Sequence, residues 1–250
     1  MDLATSYPRI FYINLDTRTD RRTFMERQLS DAGVQYARFS AIKPTFESLV
    51  SREGEFHSFF QRGCPNYKKI ARKRENAARL TSYFGVYLSH YRLHQMMADN
   101  PERDYVILED DCVFERENLD AVLAQVENGR IPSDWDIIRD CWGSTKAVET
   151  FDRSHSTSKF SGLRRHHNHY GGAHFSLVRA QSARRLLDFL DEEYIFIIDA
   201  IYSTHKLNVY HSRFGFHPAD MGTDVPKMPP KSRLSQKLGK IRRISERLMG

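Results

Sequence analysis

At 250 residues with 40% hydrophobic content the chain can bury one full core, and three cysteines without a CxxC pair argue against a disulfide framework or a zinc site. The net charge of +6 resembles a nucleic-acid footprint until it is divided by region: eight bases and one acid lie from Lys227 onward, leaving 30 bases against 31 acids elsewhere. A neutral body argues against nucleic acid as a partner, no run approaches the roughly 20 apolar residues of a membrane span, and MDLATSYPRI lacks the pattern of a signal peptide, so a cytoplasmic location is expected.

In chain order, Arg9 to Leu15 (RIFYINL) reads as a first strand. A helix from about Asp20 to Ala32 follows, with Thr19 as its expected cap and Gly33 where a left-handed C-terminal residue is wanted. A short strand is predicted near Val34 to Phe39. Residues 44 to 79 are charged and irregular and read as a partly helical insertion without assigned chemistry. Thr81 or Ser82 is the expected cap of a helix reaching about Ala98, which carries Phe84, Leu88, Tyr91 and Met97 at helical spacing. After Asn100-Pro101 come a strand from Tyr105, a helix over Asn118 to Val126, and a strand over Trp135 to Arg139 ending at Asp140. A polar stretch from Thr150 to Tyr170 leads to a strand over Ala173 to Val178 and a helix over Ser182 to Leu190. Alternating strands and helices predict an α/β fold: one domain over residues 1–226, with a largely parallel sheet between helices, and a basic tail over 227–250.

The chemistry concentrates in Tyr105-Val106-Ile107-Leu108-Glu109-Asp110-Asp111, a buried strand running into three carboxylates. Open α/β sheets place ligands at the carboxyl ends of strands. Extended geometry would point Glu109 and Asp111 one way and Asp110 the other. Three adjacent anions call for a positive charge, and an all-oxygen set favours magnesium, manganese or calcium over zinc. The plainer alternative is a solvated acidic turn. Neither a GxxxxGK[ST] loop nor a GxGxxG turn is present, which argues against P-loop and dinucleotide-binding enzymes. Cys112, beside the triplet, reads as a small buried thiol.

Several segments together resemble glycosyltransferase family 25. Phe11-Tyr12-Ile13-Asn14-Leu15-Asp16-Thr17-Arg18-Thr19-Asp20-Arg21-Arg22 looks like the family's INLDRRxDR opening, Leu88-Ser89-His90 its SH motif, and Ile107-Leu108-Glu109-Asp110-Asp111 its ILEDD motif. Asp134 to Ile138, Gly171 to Val178 and Ile198-Asp199 are similar to later segments in the family's order. The chain departs from the pattern in carrying Tyr83 where the family has an acid, and in the loose match of Met221 to Asp224. The resemblance implies a GT-A-type fold and inverting transfer of a hexose, most commonly galactose, from a UDP-sugar with manganese (or magnesium). The implied acceptor is a glycan of lipopolysaccharide, lipooligosaccharide or capsule.

On that resemblance Asp111 is the expected metal ligand, with Glu109 or Asp110 contacting the ribose or the metal's waters. Asn14, Asp16, Arg18 and Arg21 are expected at the donor nucleotide, against the alternative of a capped turn with surface arginines. Ser89 and His90 are expected near the donor sugar, against a structural polar pair. Inversion needs a base for the acceptor hydroxyl. Asp199 is preferred to Asp140 because Tyr194 to Ile198 would shield it, and its alternative role is a helix N-cap. His155, His166, His167 and His169 form a weak metal signal, and His211 or His217 is a possible third ligand.

In the tail, Leu234, Leu238, Ile241, Ile244 and Leu248 fall at helical spacing with Lys237, Lys240, Arg242, Arg243 and Arg247 elsewhere. A basic amphipathic helix over 232–250 suits an anionic membrane surface or a packed terminal helix. Two other classes stand against the transferase: a metal-dependent phosphohydrolase or nuclease, and a non-catalytic relative that binds glycan.

Overall fold

The computed structural model describes residues 7–54, 56–63, 74–140, 173–193, 198, 207–212, 214–222 and 224. The elements are β1 (Arg9–Asn14), α1 (Thr19–Asp31), β2 (Tyr36–Ser40), α2 (Phe46–Val50), α3 (His57–Gly63) and α4 (Arg74–Ala98). They continue with β3 (Tyr105–Glu109), β4 (Cys112–Val113), α5 (Arg116–Glu127), β5 (Ile137–Asp140), β6 (Phe175–Val178), α6 (Ala183–Glu193) after one 3₁₀ turn, β7 (Val209–Ser212) and β8 (His217–Pro218).

Six strands form one sheet in the order β2-β1-β3-β6-β5-β7. Only β6 runs against the others, pairing antiparallel with both β3 and β5, so the expectation of an α/β fold with a mostly parallel sheet holds. The parallel strands β1, β2 and β3 therefore end side by side, at Asn14, Ser40 and Glu109. A separate ribbon pairs β4 with β8, Cys112 opposite Pro218, and brings the segment after Phe214 beside the acidic triplet.

Side-chain alternation sorts the core into two layers. Phe11, Tyr105, Ile107, Ile137 and Val209 face α4 and α6, meeting Phe84, Tyr87, Leu88, Phe189 and Leu190. Ile10, Tyr12, Val106, Leu108, Ile138, Phe175 and Leu177 face α1 and α5, meeting Met25, Leu29, Leu119 and Val122. Each fully buried Leu or Phe stabilises the fold by about 1.5–3 kcal/mol. Phe216 stacks on Phe175 with ring centroids 3.8 Å apart and so ties the segment before β8 to the sheet. Cys112 is free and buried, as expected.

Several boundaries differ from the sequence reading for local reasons. Arg18, not Thr19, is the N-cap of α1; its guanidinium, which has no acceptor, makes no side-chain cap bond and instead donates to Asp20 and Asp224. The other end of α1 closes as expected: Gly33 has φ +63°, and the Val34 amide reaches back to Leu29. Thr81 and Ser82 do not cap α4, which begins at Arg74. Their hydroxyls donate to the carbonyls of Ala77 and Ala78 one turn earlier, the bond such residues make inside a helix. Within 44–79 the chain forms α2, α3 and the first turns of α4, with Thr45 and Ser48 closing a capping box on α2. No helix among the described residues is long and apolar enough to cross a membrane.

Candidate active site

A cavity of about 660 Å³ opens at the carboxyl ends of β1, β2 and β3, between α4 and the segment that links β2 to α2. Its size is that of a small-molecule site. One end is mainly apolar, walled by Ala41, Ile42, Pro44, Phe46, Ala77, Ala78 and Val86 with Lys43, Glu47, Thr81 and Ser82 among them, while Ile13 lies opposite Glu109 on the neighbouring strand. The other carries Glu109, Asp110, Asp111, Asp224, Arg21, Ser89 and His90. Among the described lining residues, five carboxylates (with Glu47) face two cations, Arg21 and Lys43.

Extended geometry stops at Glu109 and the next two residues form a turn, so the triplet does not alternate across the sheet as the sequence suggested; all three border the cavity. Their surroundings differ sharply. Both oxygens of Asp110 are engaged: Asn14 donates to Oδ2 at 2.8 Å and Arg21 to Oδ1 at 2.5 Å. Arg21 also approaches Asp111 at 3.2 Å and donates to the Gly222 carbonyl. The positive charge that the triplet called for is thus supplied in part by a helix α1 side chain, itself only 6% exposed. Asp111 Oδ1, in contrast, is buried and accepts no hydrogen bond among the described residues. Burial raises the pKa of this carboxyl, opposed by the Arg21 guanidinium.

Asn14 is a brace. Its amide nitrogen spans Asp110 and the Arg18 carbonyl while its oxygen accepts from Arg38 at 3.1 Å. Asp16 accepts from Ser40 at 2.8 Å and from Arg38, whose guanidinium lowers its pKa. Arg18 binds Asp224 at 2.6 Å and the Met221 carbonyl at 2.8 Å. Arg18 and Arg21 therefore strap Met221, Gly222 and Asp224 over the start of α1, which puts Asp224 on the cavity wall. Of the four residues expected at the nucleotide, Arg21 lines the cavity, and Asn14, Asp16 and Arg18 build its rim from behind.

Ser89 and His90 stand on α4 facing the cavity. Ser89 Oγ accepts the Ile42 amide at 2.8 Å and donates to the Gly85 carbonyl at 2.7 Å. His90 is buried, and desolvation, with the neighbouring His94 and Arg139, holds its pKa well below the ordinary value, so its imidazole is neutral at neutral pH. His94 bonds the Tyr105 hydroxyl at 2.8 Å and is likewise pushed down, to about 3, by burial.

Asp140 lies on the α1 and α5 side of the sheet and does not border the cavity. Its Oδ2 accepts the Phe214 and Phe216 amides, both at 2.9 Å, and burial pushes its pKa up to about 6 against those bonds. His217 is exposed, with Nδ1 2.9 Å from the Gly215 carbonyl. His211 belongs to β7. Asp199, His155, His166, His167, His169 and the 232–250 tail lie outside the described residues.

Sequence reasoning passed over Asp224, Gly85 and the 41–46 wall. Asp224 sits more than a hundred residues from the triplet, and the β4–β8 pairing and the Arg18 and Arg21 bonds bring it near. Arg139 was read as an ordinary strand residue, yet it is completely buried and faces the α4 side. A lone arginine inside an apolar strand was the available signal.

Magnesium and manganese bind through one or two carboxylates and complete their shells with water and substrate phosphate. Asp111 fits that pattern through its open Oδ1, while each oxygen of Asp110 already has a donor. Among the described residues no group of three His, Cys, Asp or Glu side chains forms a complete protein cage.

A sequence model described as Glycosyltransferase family 25 (LPS biosynthesis protein) matches residues 7–201. The chain is 33% identical over 129 residues to a Glycosyltransferase 25 family member of Drosophila melanogaster, covering 49% of this chain and 19% of that protein. It is 28% identical over 138 residues to Procollagen galactosyltransferase 1-A of Xenopus laevis, covering 53% and 21%. It is 34% identical over 125 residues to Putative glycosyltransferase R655 of Acanthamoeba polyphaga mimivirus, covering 48% and 34%. The matched region thus spans 19% to 34% of the length of these curated relatives. A match over more than three quarters of the chain places it plainly: the protein belongs to glycosyltransferase family 25.

Proposed function

We propose that the protein transfers a hexose, galactose before others, from a UDP-sugar to a hydroxyl of a glycan acceptor of lipopolysaccharide, lipooligosaccharide or capsule, with inversion and with manganese or magnesium. The observation that carries the reading is the two-ended cavity: mainly apolar walls at one end, and the carboxylates of the β3 tip at the other. Among the described residues the lining carries five acids and two bases, a balance that would repel a diphosphate on its own. The diphosphate would be accommodated if a divalent cation came with it, and the unpartnered Oδ1 of Asp111 supports that residue as the cation's ligand.

The bound ion supplies Lewis-acid stabilisation of the charge that develops on the departing UDP. The protein's own groups do the rest. Arg21, fixed by Asp110, keeps a second positive charge beside Asp111. His90, uncharged at neutral pH, offers a hydrogen bond to the donor sugar without adding charge. Asp199 is the proposed base for the acceptor hydroxyl; Asp140, the alternative, already accepts two backbone amides on the other side of the sheet. The tail over 232–250 is proposed to rest on an anionic membrane surface, which would bring the enzyme to a lipid-linked acceptor at the cytoplasmic face.

A panel of UDP-sugars with manganese tests this reading. UDP release that is fastest with UDP-galactose and is lost on chelation is the expected result; no turnover with any UDP-sugar, or turnover indifferent to chelation, contradicts it.

A further inference from the structure

The apolar end of the cavity has one wall made of helix and one made of bare chain. The helical wall is α4; the other is the segment from Ala41 to Pro44, which has no strand or helix of its own. Such a segment holds a fixed distance from its partner only if something pins it. Two residues of α4, one turn apart and so on the same helix face, do this.

Ser89 supplies the attachment. Its hydroxyl gives its proton to the Gly85 carbonyl at 2.7 Å, which leaves the oxygen lone pairs directed at the linker, where they accept the Ile42 amide at 2.8 Å. Gly85 supplies the clearance. A methyl group at that position would stand 2.6 Å from the Ile42 carbonyl oxygen and 3.1 Å from Pro44 Cδ, so no larger residue permits the approach. The Ala41 amide, bonded to the Asn14 carbonyl at 2.9 Å, pins the start of the segment to β1. Ser89 is fully buried, and its two bonds use both its donor and an acceptor, so it is committed to this joint and not to a ligand.

We propose that Gly85 and Ser89 are positioning residues for the nucleotide: together they set the height of the Ile42–Pro44 backbone above α4, and with it the width of the slot that grips the base. The assignment rests on reading the cavity as the nucleotide-sugar site. A flat ring sandwiched between two walls depends on both being at contact distance, and a gap of about 0.5–1 Å forfeits a quarter to a half of the dispersion on that side. The Gly85→Ala change forces the walls apart, and Ser89→Ala lets the linker drift.

The test uses the full chain and UDP with manganese as the probe, measured by calorimetry alongside melting temperature and amide hydrogen exchange of the 41–44 segment. Met97→Ala, a truncation of a fully buried residue near the far end of α4, serves as the destabilised control. Gly85→Ala and Ser89→Ala are expected to weaken UDP binding about tenfold, the size of one lost hydrogen bond or its equivalent in packing, and to speed exchange at Ile42. Met97→Ala is expected to lower the melting temperature while leaving both readouts in place. If the two variants bind UDP as tightly as the control, or if Ile42 exchanges no faster, the positioning assignment is overturned. If the wild-type protein itself does not bind UDP with manganese, the nucleotide reading falls and takes the assignment with it, so the two failures are distinct.

Discussion

The bracing behind the acidic tip and the cavity in front of it are built from the same residue types and treat them in opposite ways. Behind the tip, Asn14, Asp110 and Arg21 close a set of short bonds in which each oxygen of Asp110 has a donor. In front, one residue further along, Asp111 keeps a buried oxygen with no partner among the described residues. A carboxylate with a donor on each oxygen is part of the scaffold, whereas a buried carboxylate oxygen left without one is costly unless something arrives to meet it. The contrast separates two neighbouring acids that look interchangeable on paper into one that holds the fold and one that is available for chemistry.

The sharpest way to break this comparison is to remove the buried cation. Arg21→Ala strands Asp110, whose side chain is 11% exposed, and is expected to cost about 3–5 kcal/mol in urea unfolding; a loss under about 1 kcal/mol would show that the bracing is not structural.

Asp140 offers a smaller and signed effect. Its folded pKa of about 6 lies above the ordinary carboxylate value, so the stability that its proton contributes is complete below about pH 4 and is lost as the pH rises through 6. The buried His174, pushed down to about 4, acts in the opposite sense: its contribution is complete above about pH 6.5 and is lost as the pH falls toward 4. Asp140→Asn is therefore expected to make the climb in stability between pH 4 and 6 steeper, by up to about 1 kcal/mol per pH unit, in melting curves taken across that range. An unchanged or shallower climb would contradict the placement of Asp140.

The smallest effect belongs to the strap. Arg18 and Asp224 are 17% and 42% exposed, so Asp224→Asn is expected to shift stability by no more than about 1 kcal/mol. A large loss would mean that the strap, like the bracing, is part of the core.

Much of the scaffold was legible because period and punctuation agree there. The β1 run, the β3 run and the helix closed by Gly33 each combine a clear hydrophobic pattern with a specific stop. The start of α4 was not legible because Thr81 and Ser82 have the side chains of caps, whereas in the fold their hydroxyls bond backward to Ala77 and Ala78. The acidic triplet announced a site, but not which acid was open. That depends on Asn14 and Arg21, about 90 residues away in sequence, reaching Asp110 first. Gly85 and the 41–44 segment could not be singled out at all, since a close backbone approach leaves no mark on sequence period.

The claim that Asp111 is the open carboxylate is tested most directly by calorimetry of UDP with the wild-type protein and with Asp111→Asn, each with and without manganese. Manganese should tighten UDP binding to the wild type by at least about tenfold and leave the affinity of Asp111→Asn unchanged, with both proteins equally folded. Equal manganese dependence in the two proteins, or none in the wild type, would contradict it.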